Sequence, residues 1–400
     1  MTISKLLTGN EAAAWGAKVS RSEVIPAYPI TPQTEVISVI ADFIAAGEMN
    51  AEYIKVEGEH TAMGVACGAS AAGARVFTAS ASQGVVFMEE NIWQPPGKRL
   101  PIVMCIANRS MAPLGNLRPD HNDSLLQRDT GWIQLYCENS QEVLDTIVQS
   151  FKIAEDNRIY LPVMPCYDGY FVSATASAVT IPDQEEVDDF LPPYKHEMLN
   201  MMPGEFKQLP PRANPIETTK ARYELQQAME RAKDVIEEVD KEYGKRFGRS
   251  YDGFLEEYAC DDAEAVLITM GSMTGTARDV IDEMQAEGKR IGLVKLRGFR
   301  PFPTEEIQKI AKKYNVIGMV DRNTSYGSAG GGIVTMELAR ALYPLTERPL
   351  LLTYYVGLAG SDVTMRQIRY IADRILEVNE KGTVDKEVEW VDLLDLGEVM

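Results

Sequence analysis

The sequence predicts an α/β fold with parallel sheets, and three observations lead to that prediction. Short apolar runs alternate with helical patterns in the first part of the chain, and the same alternation returns in the last third. The region between them is rich in Pro and charged residues instead. Alternating strands and helices imply parallel sheets that are covered on both faces. At 400 residues and 45% hydrophobic, the chain is long enough for two or three domains with complete cores.

Three regions follow from this pattern. Residues 1–173 are predicted to form a first α/β domain, and residues 263–400 a second one. Residues 174–262 are predicted to be a connecting arm that contains a charged helix and packs on partners or on the first domain. Its charges are expected to form a mostly solvated face.

The first domain begins with a capped helix at 7–19, with Asn10 or Thr8 near its start. A helix near Trp93 is expected to stop at Gln94-Pro95-Pro96-Gly97. The remaining predictions for this domain are strands at 24–28, 100–107, 133–136 and 161–167, and a helix at 141–155.

The last third gives strands at 265–270, 290–296, 316–320 and 350–355, with helices at about 273–287, 304–314, 331–343 and 363–377. A glycine-rich segment, 327–332, precedes one of these helices. It is a weak candidate for an anion site, because glycines also allow helices to pack closely on sheets.

The segment 54–83 is the one on which a function can be based. A short apolar run is followed by Glu57 and Glu59, then by a helix of small residues and a second apolar run. Gly64 and Gly68 in that helix each cost about 1 kcal/mol of helix propensity. Close approach of another backbone is the simplest gain that would offset this cost.

A carboxylate at the start of such a helix is what activation of thiamine diphosphate requires. A carboxyl group bound to the far nitrogen of the aminopyrimidine ring favours the imino form, which can then accept the proton of the thiazolium carbon. Glu59 is the candidate. The alternative is that Glu57 and Glu59 are an ordinary acidic first turn, which the helix dipole favours.

Three further residues are candidates for a ligand site. Thr31 lies between two prolines just after a strand, where open α/β sheets bind ligands, although it also suits an ordinary helix cap. Arg109 directly follows another strand and is suited to gripping a carboxylate, although a surface ion pair is the commoner role. His121 could be a base or a hydrogen-bonded loop residue, and the second reading is favoured.

Composition excludes several classes of protein. A net charge of −19 argues against nucleic acid or an anionic membrane surface as a partner. No membrane span and no secretory signal are recognisable, so a cytoplasmic location is expected. The five cysteines stand singly, which argues against a zinc site or an iron–sulfur cluster in this chain, and no metal site is predicted.

One absence has a direct consequence. A chain that binds thiamine diphosphate by itself needs a diphosphate and metal site, usually Gly-Asp-Gly followed by Asn-Asn, and this sequence contains no such pair. The cofactor is therefore expected to lie between this chain and another polypeptide.

Several motifs taken together carry a family resemblance that covers nearly the whole chain. They are YPITP at 28–32, EGEH at 57–60, TASASQG at 78–84, ANR at 107–109, DHND at 120–123, RDTGW at 128–132, DGY at 168–170 and RGFRPFP at 297–303. In these motifs the chain resembles the α subunit of the 2-oxoacid:ferredoxin (acceptor) oxidoreductases.

The resemblance implies a thiamine-diphosphate pyrimidine-binding-type domain followed by a transketolase C-terminal-like domain. It implies that Glu59 binds the pyrimidine nitrogen beside Pro29, and that Thr31 and Arg109 hold the substrate carboxylate with Tyr28 nearby. The implied reaction decarboxylates a 2-oxoacid, passes electrons to iron–sulfur clusters and forms an acyl-CoA from coenzyme A.

The same resemblance implies several partners. A β-type subunit would supply the diphosphate and Mg²⁺ site, and a γ-type subunit would supply the domain that closes on coenzyme A. A ferredoxin-like subunit would carry the [4Fe-4S] clusters. A further electron-transfer subunit would link the complex to NAD or ferredoxin.

The substrate is less constrained. Three motifs look like the oxalate oxidoreductase and phenylglyoxylate dehydrogenase branch of the family: FLPPYK at 190–195, FGRSYD at 247–252 and EEY at 256–258. That branch has a second arginine where Thr31 stands and an acidic residue where Ala112 stands, so oxalate is not expected. The apolar loop 111–115 suits an uncharged substrate tail. Phenylglyoxylate, giving benzoyl-CoA, is the first expectation, and pyruvate is the alternative.

Two other classes stay open at this point. The chain could be a non-catalytic assembly subunit of such a complex, or a transketolase-type enzyme that acts on sugars. The missing Gly-Asp-Gly motif and the presence of only three histidines count against the second class.

Overall fold

The computed structural model describes residues 3–111, 116–195 and 214–394. Within these residues the strands are β1 (Ile3–Leu7), β2 (Val24–Ala27), β3 (Glu52–Lys55), β4 (Phe77–Ser80), β5 (Val103–Asn108), β6 (Ile133–Cys137), β7 (Val163–Asp168), β8 (Ser177–Ile181), β9 (Leu255–Tyr258), β10 (Ala265–Thr269), β11 (Ile291–Leu296), β12 (Gly298–Arg300), β13 (Val316–Asp321), β14 (Leu350–Tyr355) and β15 (Val388–Trp390).

The helices in the same residues are α1 (Gly9–Val19), α2 (Thr34–Ala45), α3 (Glu59–Ala71), α4 (Ser82–Phe87), α5 (Glu89–Ile92), α6 (Gln94–Lys98), α7 (Asn122–Leu125), α8 (Ser140–Glu155), α9 (Gln184–Phe190), α10 (Pro215–Phe247), α11 (Met273–Ala286), α12 (Thr304–Ala311), α13 (Ile333–Leu342), α14 (Met365–Lys381) and α15 (Val391–Leu394). None of the described helices is both long enough and apolar enough to cross a lipid bilayer.

The first sheet has the strand order β12-β6-β7-β5-β4. Strands β4, β5, β7 and β6 are parallel. The parallel pair β2 and β3 lies beside β4, joined by a bridge between Val24 and Val76 and by a 2.8 Å hydrogen bond from the Thr78 hydroxyl to the Pro26 carbonyl. The loops after β2, β3, β4 and β5 therefore leave the sheet at one edge, which is where such folds place ligands.

The second sheet has the order β15-β14-β13-β10-β11-β9, and it is parallel except for β9. The α/β fold with parallel sheets is confirmed. One hydrophobic cluster contains side chains from both sheets, among them Met104 and Ile106 of β5 and Val266 and Ile268 of β10. The two sheets are thus joined by apolar packing as well as by polar contacts.

Hydrogen bonding crosses both of the predicted domain boundaries. Strand β12, from the predicted third region, pairs with β6 of the first sheet. Strand β9, from the predicted arm, pairs with β11 of the second sheet. The arm also packs on the first domain, where Asp145 of α8 accepts hydrogen bonds from the Tyr243, Arg249 and Tyr251 side chains. The division at 173 and 262 remains a proposal.

The helix predicted at 7–19 is confirmed as α1, with Thr8 as its cap in a capping box with Glu11. The strand before it, Ile3–Leu7, which pairs with β8, was not predicted.

One local prediction was wrong. Residues 94–97 do not form a break without helical structure. They belong to the short helix α6, with both prolines in its first turn. Proline is tolerated there because the first turn of a helix has no internal partner for its N–H groups.

A buried ionic cluster joins the N-terminal turn of α8 to the residues that end β11. The Glu142 carboxylate lies 2.7 Å from the Lys295 ammonium and 3.2 Å from Nε of Arg297. Glu142 and Arg297 are fully buried. Arg297 also donates to the Gly253 carbonyl and to the side chains of Thr146 and Gln149. Buried charges are tolerated only when they are paired in this way. The cluster therefore favours a single relative position of the two sheets.

We expect Arg297→Met to destabilise the folded chain by about 3–5 kcal/mol, because a buried carboxylate loses part of its compensation. The thermal unfolding midpoint of the purified complex measures this change. The matched control is Lys309→Met, which removes an exposed lysine that lies 3.8 Å from Glu306. The control is expected to change stability by no more than about 0.5 kcal/mol. Equal midpoints for the two variants would contradict a structural role for the cluster.

Candidate cofactor and substrate site

Glu59 is the first residue of α3 and is almost completely buried, with 6% of its surface exposed. It lies at the sheet edge, at the start of the helix that follows β3. In the parts of the chain that the structure describes, no group donates a hydrogen bond to its carboxylate. A buried carboxylate normally has partners, so this one has its full bonding capacity left for a ligand.

The close approach expected of the small-residue helix lies elsewhere. Apart from adjacent residues and the backbone of the same helix, no described atom lies within 4 Å of where a Cβ on Gly68 would stand, and at Gly64 the Asn91 side chain comes as near as 3.5 Å. The tight contact is at Gly84 in α4, where a Cβ would stand 2.5 Å from Oε1 of Glu59 and 2.7 Å from Oγ of Ser80. Gly84 therefore leaves room for the Glu59 carboxylate.

Ser80 adds a second buried oxygen to this place, and its hydroxyl has no hydrogen-bond partner among the described residues. Two buried oxygens without partners fit a heteroaromatic ring that carries a nitrogen and an amino group. The residues around Gly84 thus fit the aminopyrimidine of thiamine diphosphate.

Thr31 and Arg109 are in contact. The Arg109 guanidinium donates from one terminal nitrogen to the Thr31 carbonyl at 3.0 Å, and from Nε to the Asn116 carbonyl at 3.3 Å. No carboxylate among the described residues pairs with the Arg109 guanidinium. Carbonyl groups hold the guanidinium in place without neutralising it, so its charge is available to an anion.

Tyr28 and Pro29 lie in the same loop as Thr31. The Tyr28 side chain is half-buried and its carbonyl accepts a hydrogen bond from the Gln33 amide, while Pro29 is exposed. No contact that the structure describes joins either residue to Glu59. Their assignments to substrate and cofactor therefore remain predictions.

Asp123 connects the two halves of the site, and no sequence motif assigned it a role of its own. It is fully buried in α7, and its carboxylate accepts from the backbone N–H groups of Ser82 at 2.8 Å and Arg109 at 2.9 Å. Burial raises the pKa of Asp123 to about 6, although these hydrogen bonds favour its ionised form. Nothing in the spacing of DHND separates this aspartate from Asp120, so only the fold identifies it.

His121 is a hydrogen-bonded residue, as the sequence favoured. It is buried, and its Nε2 lies 2.8 Å from Oδ1 of Asp168. Asp168 also accepts from the Ser272 backbone N–H and hydroxyl and lies 3.1 Å from Arg322. Burial opposes the ionisation of Asp168, but the charges of Arg322 and His121 hold its pKa below the usual range. This cluster joins the two sheets.

The glycine-rich segment 327–332 leads into a helix start whose leading N–H groups bind side chains of the chain itself. The Asp321 carboxylate accepts from the Gly332 backbone N–H at 3.0 Å, and the Asn323 side chain accepts from the Ile333 N–H at 2.6 Å. The first N–H groups of α13 are thus already satisfied by the chain itself.

Comparison with known proteins decides the family. Residues 16–241 match the family described as pyruvate flavodoxin/ferredoxin oxidoreductase, thiamine diP-binding, and residues 263–368 match the pyruvate:ferredoxin oxidoreductase core domain II. The chain is 45% identical to the pyruvate synthase subunit PorA of Pyrococcus horikoshii, over 98% of this chain and 99% of that protein. The chain belongs to the 2-oxoacid:ferredoxin oxidoreductases, as an α-type subunit.

The relatives in this family are named for two different substrates, ketoisovalerate and pyruvate. The ketoisovalerate oxidoreductase subunit VorA of P. horikoshii is 44% identical over 98% of each chain. The pyruvate synthase subunit PorA of Methanocaldococcus jannaschii is 43% identical over 97% of this chain and 98% of that protein. This 2-oxoacid:ferredoxin oxidoreductase subunit is thus part of a thiamine-diphosphate-dependent oxidoreductase that includes other subunits.

Solved structures agree on the fold. The 2-oxoglutarate:ferredoxin oxidoreductase from Magnetococcus marinus, solved with 2-oxoglutarate, coenzyme A and succinyl-CoA, matches with a TM-score of 0.69 at 18% identity. The match covers 94% of this chain but only 65% of that one. An inactive split-gene transketolase matches with a TM-score of 0.53 at 13% identity, over 92% of this chain and 98% of that one. The transketolase-like architecture of the α-type subunit is confirmed.

We expect Gly84→Ala to lower 2-oxoacid-dependent electron transfer by the assembled complex by about 10²- to 10⁴-fold, because the new methyl group must displace the Glu59 carboxylate. Reduction of a ferredoxin or an artificial acceptor measures this loss. Gly97→Ala is the control, since a Cβ there meets no described atom within 4 Å. Full activity of Gly84→Ala would mean that the position of Glu59 does not matter.

Proposed function

We propose that this chain is the α subunit of a pyruvate-oxidising member of its family, and that it supplies the pyrimidine and substrate half of a shared active site. The observation that supports this proposal is a pair of groups left without charge partners at one sheet edge. Glu59 is buried without a hydrogen-bond donor among the described residues. The Arg109 guanidinium donates to the Thr31 and Asn116 carbonyl groups and pairs with no carboxylate among the described residues.

Glu59 would hold the cofactor from this side. Its carboxylate would bind the pyrimidine nitrogen, the Ser80 hydroxyl would face the same ring, and Pro29 would lie at its edge. When bound, thiamine diphosphate supplies the carbon that attacks a 2-oxoacid and the electron sink for decarboxylation. The contribution of this chain is to orient the ring and to keep the proton on its nitrogen in a place with little water.

Arg109 would bind the carboxylate of the substrate. Its guanidinium is already fixed by the Thr31 and Asn116 carbonyls, so little side-chain freedom is lost when an anion binds. The Thr31 hydroxyl forms no hydrogen bond within the described residues and is exposed, so it is available to the same carboxylate. Tyr28 would complete the wall of the substrate site.

Pyruvate is preferred over an aryl 2-oxoacid because of the substrates for which the relatives are named. The phenylglyoxylate expectation depended on the three motifs that look like the oxalate and phenylglyoxylate branch and on the loop 111–115, of which residues 112–115 lie outside the described residues. The PorA and VorA relatives, at 43–45% identity, are named for pyruvate and ketoisovalerate, which carry aliphatic substituents. A branched-chain 2-oxoacid is the second candidate, because the VorA relative is as similar as the PorA relatives.

The substrate proposal is tested with the purified complex and three acids: pyruvate, 2-ketoisovalerate and phenylglyoxylate. We expect the highest kcat/KM for pyruvate and the lowest for phenylglyoxylate, since an aryl ring is the substituent furthest from those of the named relatives. Acceptor reduction is followed in the presence of coenzyme A. A higher kcat/KM for phenylglyoxylate than for pyruvate would reverse the assignment.

The other components are proposed to come from partner subunits. A β-type subunit would bind the diphosphate and Mg²⁺, because this sequence lacks the Gly-Asp-Gly and Asn-Asn motifs. An iron–sulfur subunit would take the electrons, because the five cysteines of this chain are free thiols that occur singly in the sequence, without a Cys-x-x-Cys pair. A γ-type subunit would close on coenzyme A, and a carrier linked to ferredoxin or NAD would accept the electrons.

The Glu59→Gln variant tests whether this chain has a catalytic role or serves only in assembly of the complex. We expect this substitution to lower turnover by about 10²- to 10⁴-fold, because an amide cannot hold the proton on the pyrimidine ring as a carboxylate does. Glu57→Gln is the matched control, since Glu57 is exposed and accepts a hydrogen bond from the Thr61 hydroxyl. If both variants assemble and both turn over like the wild type, the chain is an assembly subunit.

A further inference from the structure

We propose that Asp123 is a positioning residue that sets the separation between the cofactor-facing carboxylate and the substrate-facing guanidinium of the site. The inference rests on the proposed function, which assigns these two roles to Glu59 and Arg109. Asp123 itself touches neither the cofactor nor the substrate in this proposal. It acts through two backbone N–H groups that belong to two different loops.

The two loops follow neighbouring strands of the first sheet. Ser82 comes just after β4 and Arg109 just after β5, and the backbone N–H groups of both point at the same oxygen, Oδ2 of Asp123. The other oxygen, Oδ1, accepts from the Asn108 amide at 2.7 Å and from the Ser124 backbone N–H at 2.8 Å. One buried side chain thus fixes the distance between the two loops.

The Ser82 loop leads to Glu59. Ser82 has a φ of +49°, a left-handed conformation that a non-glycine residue holds only when its surroundings impose it. Its N–H is held by Asp123, and its hydroxyl donates to the Ser110 carbonyl at 2.8 Å. Two residues later, Gly84 packs against the Glu59 carboxylate. A shift of Ser82 therefore moves the wall against which Glu59 is placed.

The Arg109 loop leads to the substrate. The backbone of Arg109 is held by Asp123 at its N–H, and its side chain reaches the Thr31 carbonyl. A shift of this backbone moves the guanidinium relative to Thr31. Because both loops are hydrogen-bonded to one carboxylate, the separation between the cofactor-facing Glu59 and the substrate-facing Arg109 is fixed.

Only a carboxylate satisfies all four donors. An asparagine at 123 would offer one oxygen and one NH₂ group, and the NH₂ group would face two N–H donors. Asp123→Asn must therefore break either the Ser82 and Arg109 pair or the Asn108 and Ser124 pair. The substitution keeps the size of the side chain, so it tests hydrogen bonding and not volume.

The experiment compares Asp123→Asn with the wild-type complex. We expect kcat/KM for the 2-oxoacid to fall by about 10²-fold, which is the typical cost of a misplacement of about 1 Å. We also expect the Kd of thiamine diphosphate, measured by titration calorimetry on complex stripped of the cofactor, to rise by about tenfold or more, as for the loss of a hydrogen bond to a charged group.

The matched control is Asp321→Asn in the second sheet. Asp321 is also a fully buried carboxylate that accepts backbone and side-chain donors, from Gly332, Thr335 and Asn323. The control is expected to lower the thermal midpoint while leaving the Kd of thiamine diphosphate and KM unchanged. If Asp123→Asn behaves like this control, Asp123 is merely structural and the proposal is overturned.

If the Asp123→Asn variant does not assemble into the complex, Asn108→Ala tests the proposal in its place. It removes one donor to Asp123 and leaves the bonds to Ser82 and Arg109 in place, so a smaller loss in the same two quantities is expected. Wild-type values for both quantities in Asn108→Ala would then overturn the proposal. Failure of the proposed function is distinguished from failure of the Asp123 proposal by the wild-type complex. If the proposed function is wrong, the wild-type complex itself turns over no 2-oxoacid in this assay.

Discussion

The buried carboxylate of Asp123 is the interaction on which the candidate site depends. It receives N–H donors from the ends of two adjacent strands and from its own helix, and it is fully removed from solvent. Burying a carboxylate is costly unless its oxygens are satisfied, and four donors satisfy them. The free energy that these bonds contribute holds Ser82 in a backbone conformation that it would not adopt alone. The site is thus organised by a residue that is itself out of reach of any ligand.

The same physical rule governs the junction between the two sheets. Glu142 is buried beside Lys295 and Arg297, and Asp168 is buried beside Arg322 and His121. Both carboxylates come from the first α/β unit, and the lysine and the two arginines come from the last third of the chain. Apolar packing alone tolerates small shifts, whereas a buried charge must meet its partner at hydrogen-bond distance. These pairs therefore fix how the second sheet lies against the loops that carry the site.

Unsatisfied groups are as informative as satisfied ones. Most buried polar atoms in a folded chain have partners, so the bare carboxylate of Glu59 and the bare hydroxyl of Ser80, judged among the described residues, mark the place where this chain is incomplete. The uncompensated charge of Arg109 lies at the same sheet edge. The absence of a diphosphate motif from the sequence agrees with this arrangement, because a half-site needs a second polypeptide to complete it.

The sequence by itself determined the alternating strands and helices of the two parallel sheets and the likeness to the family. Periods of two and 3.6 residues are local, so the alternation of strands and helices and the position of Glu59 at a helix start could be read directly. The family followed from short motifs, whereas the aryl substrate depended on a loop too short to constrain it. Only the tertiary structure decided that β9 pairs with β11 and β12 with β6, that Gly84 and not Gly68 makes the close contact, and that Asp123 joins Ser82 to Arg109. Those contacts link residues that are far apart in the chain, and no local pattern encodes which of several aspartates will be buried among them.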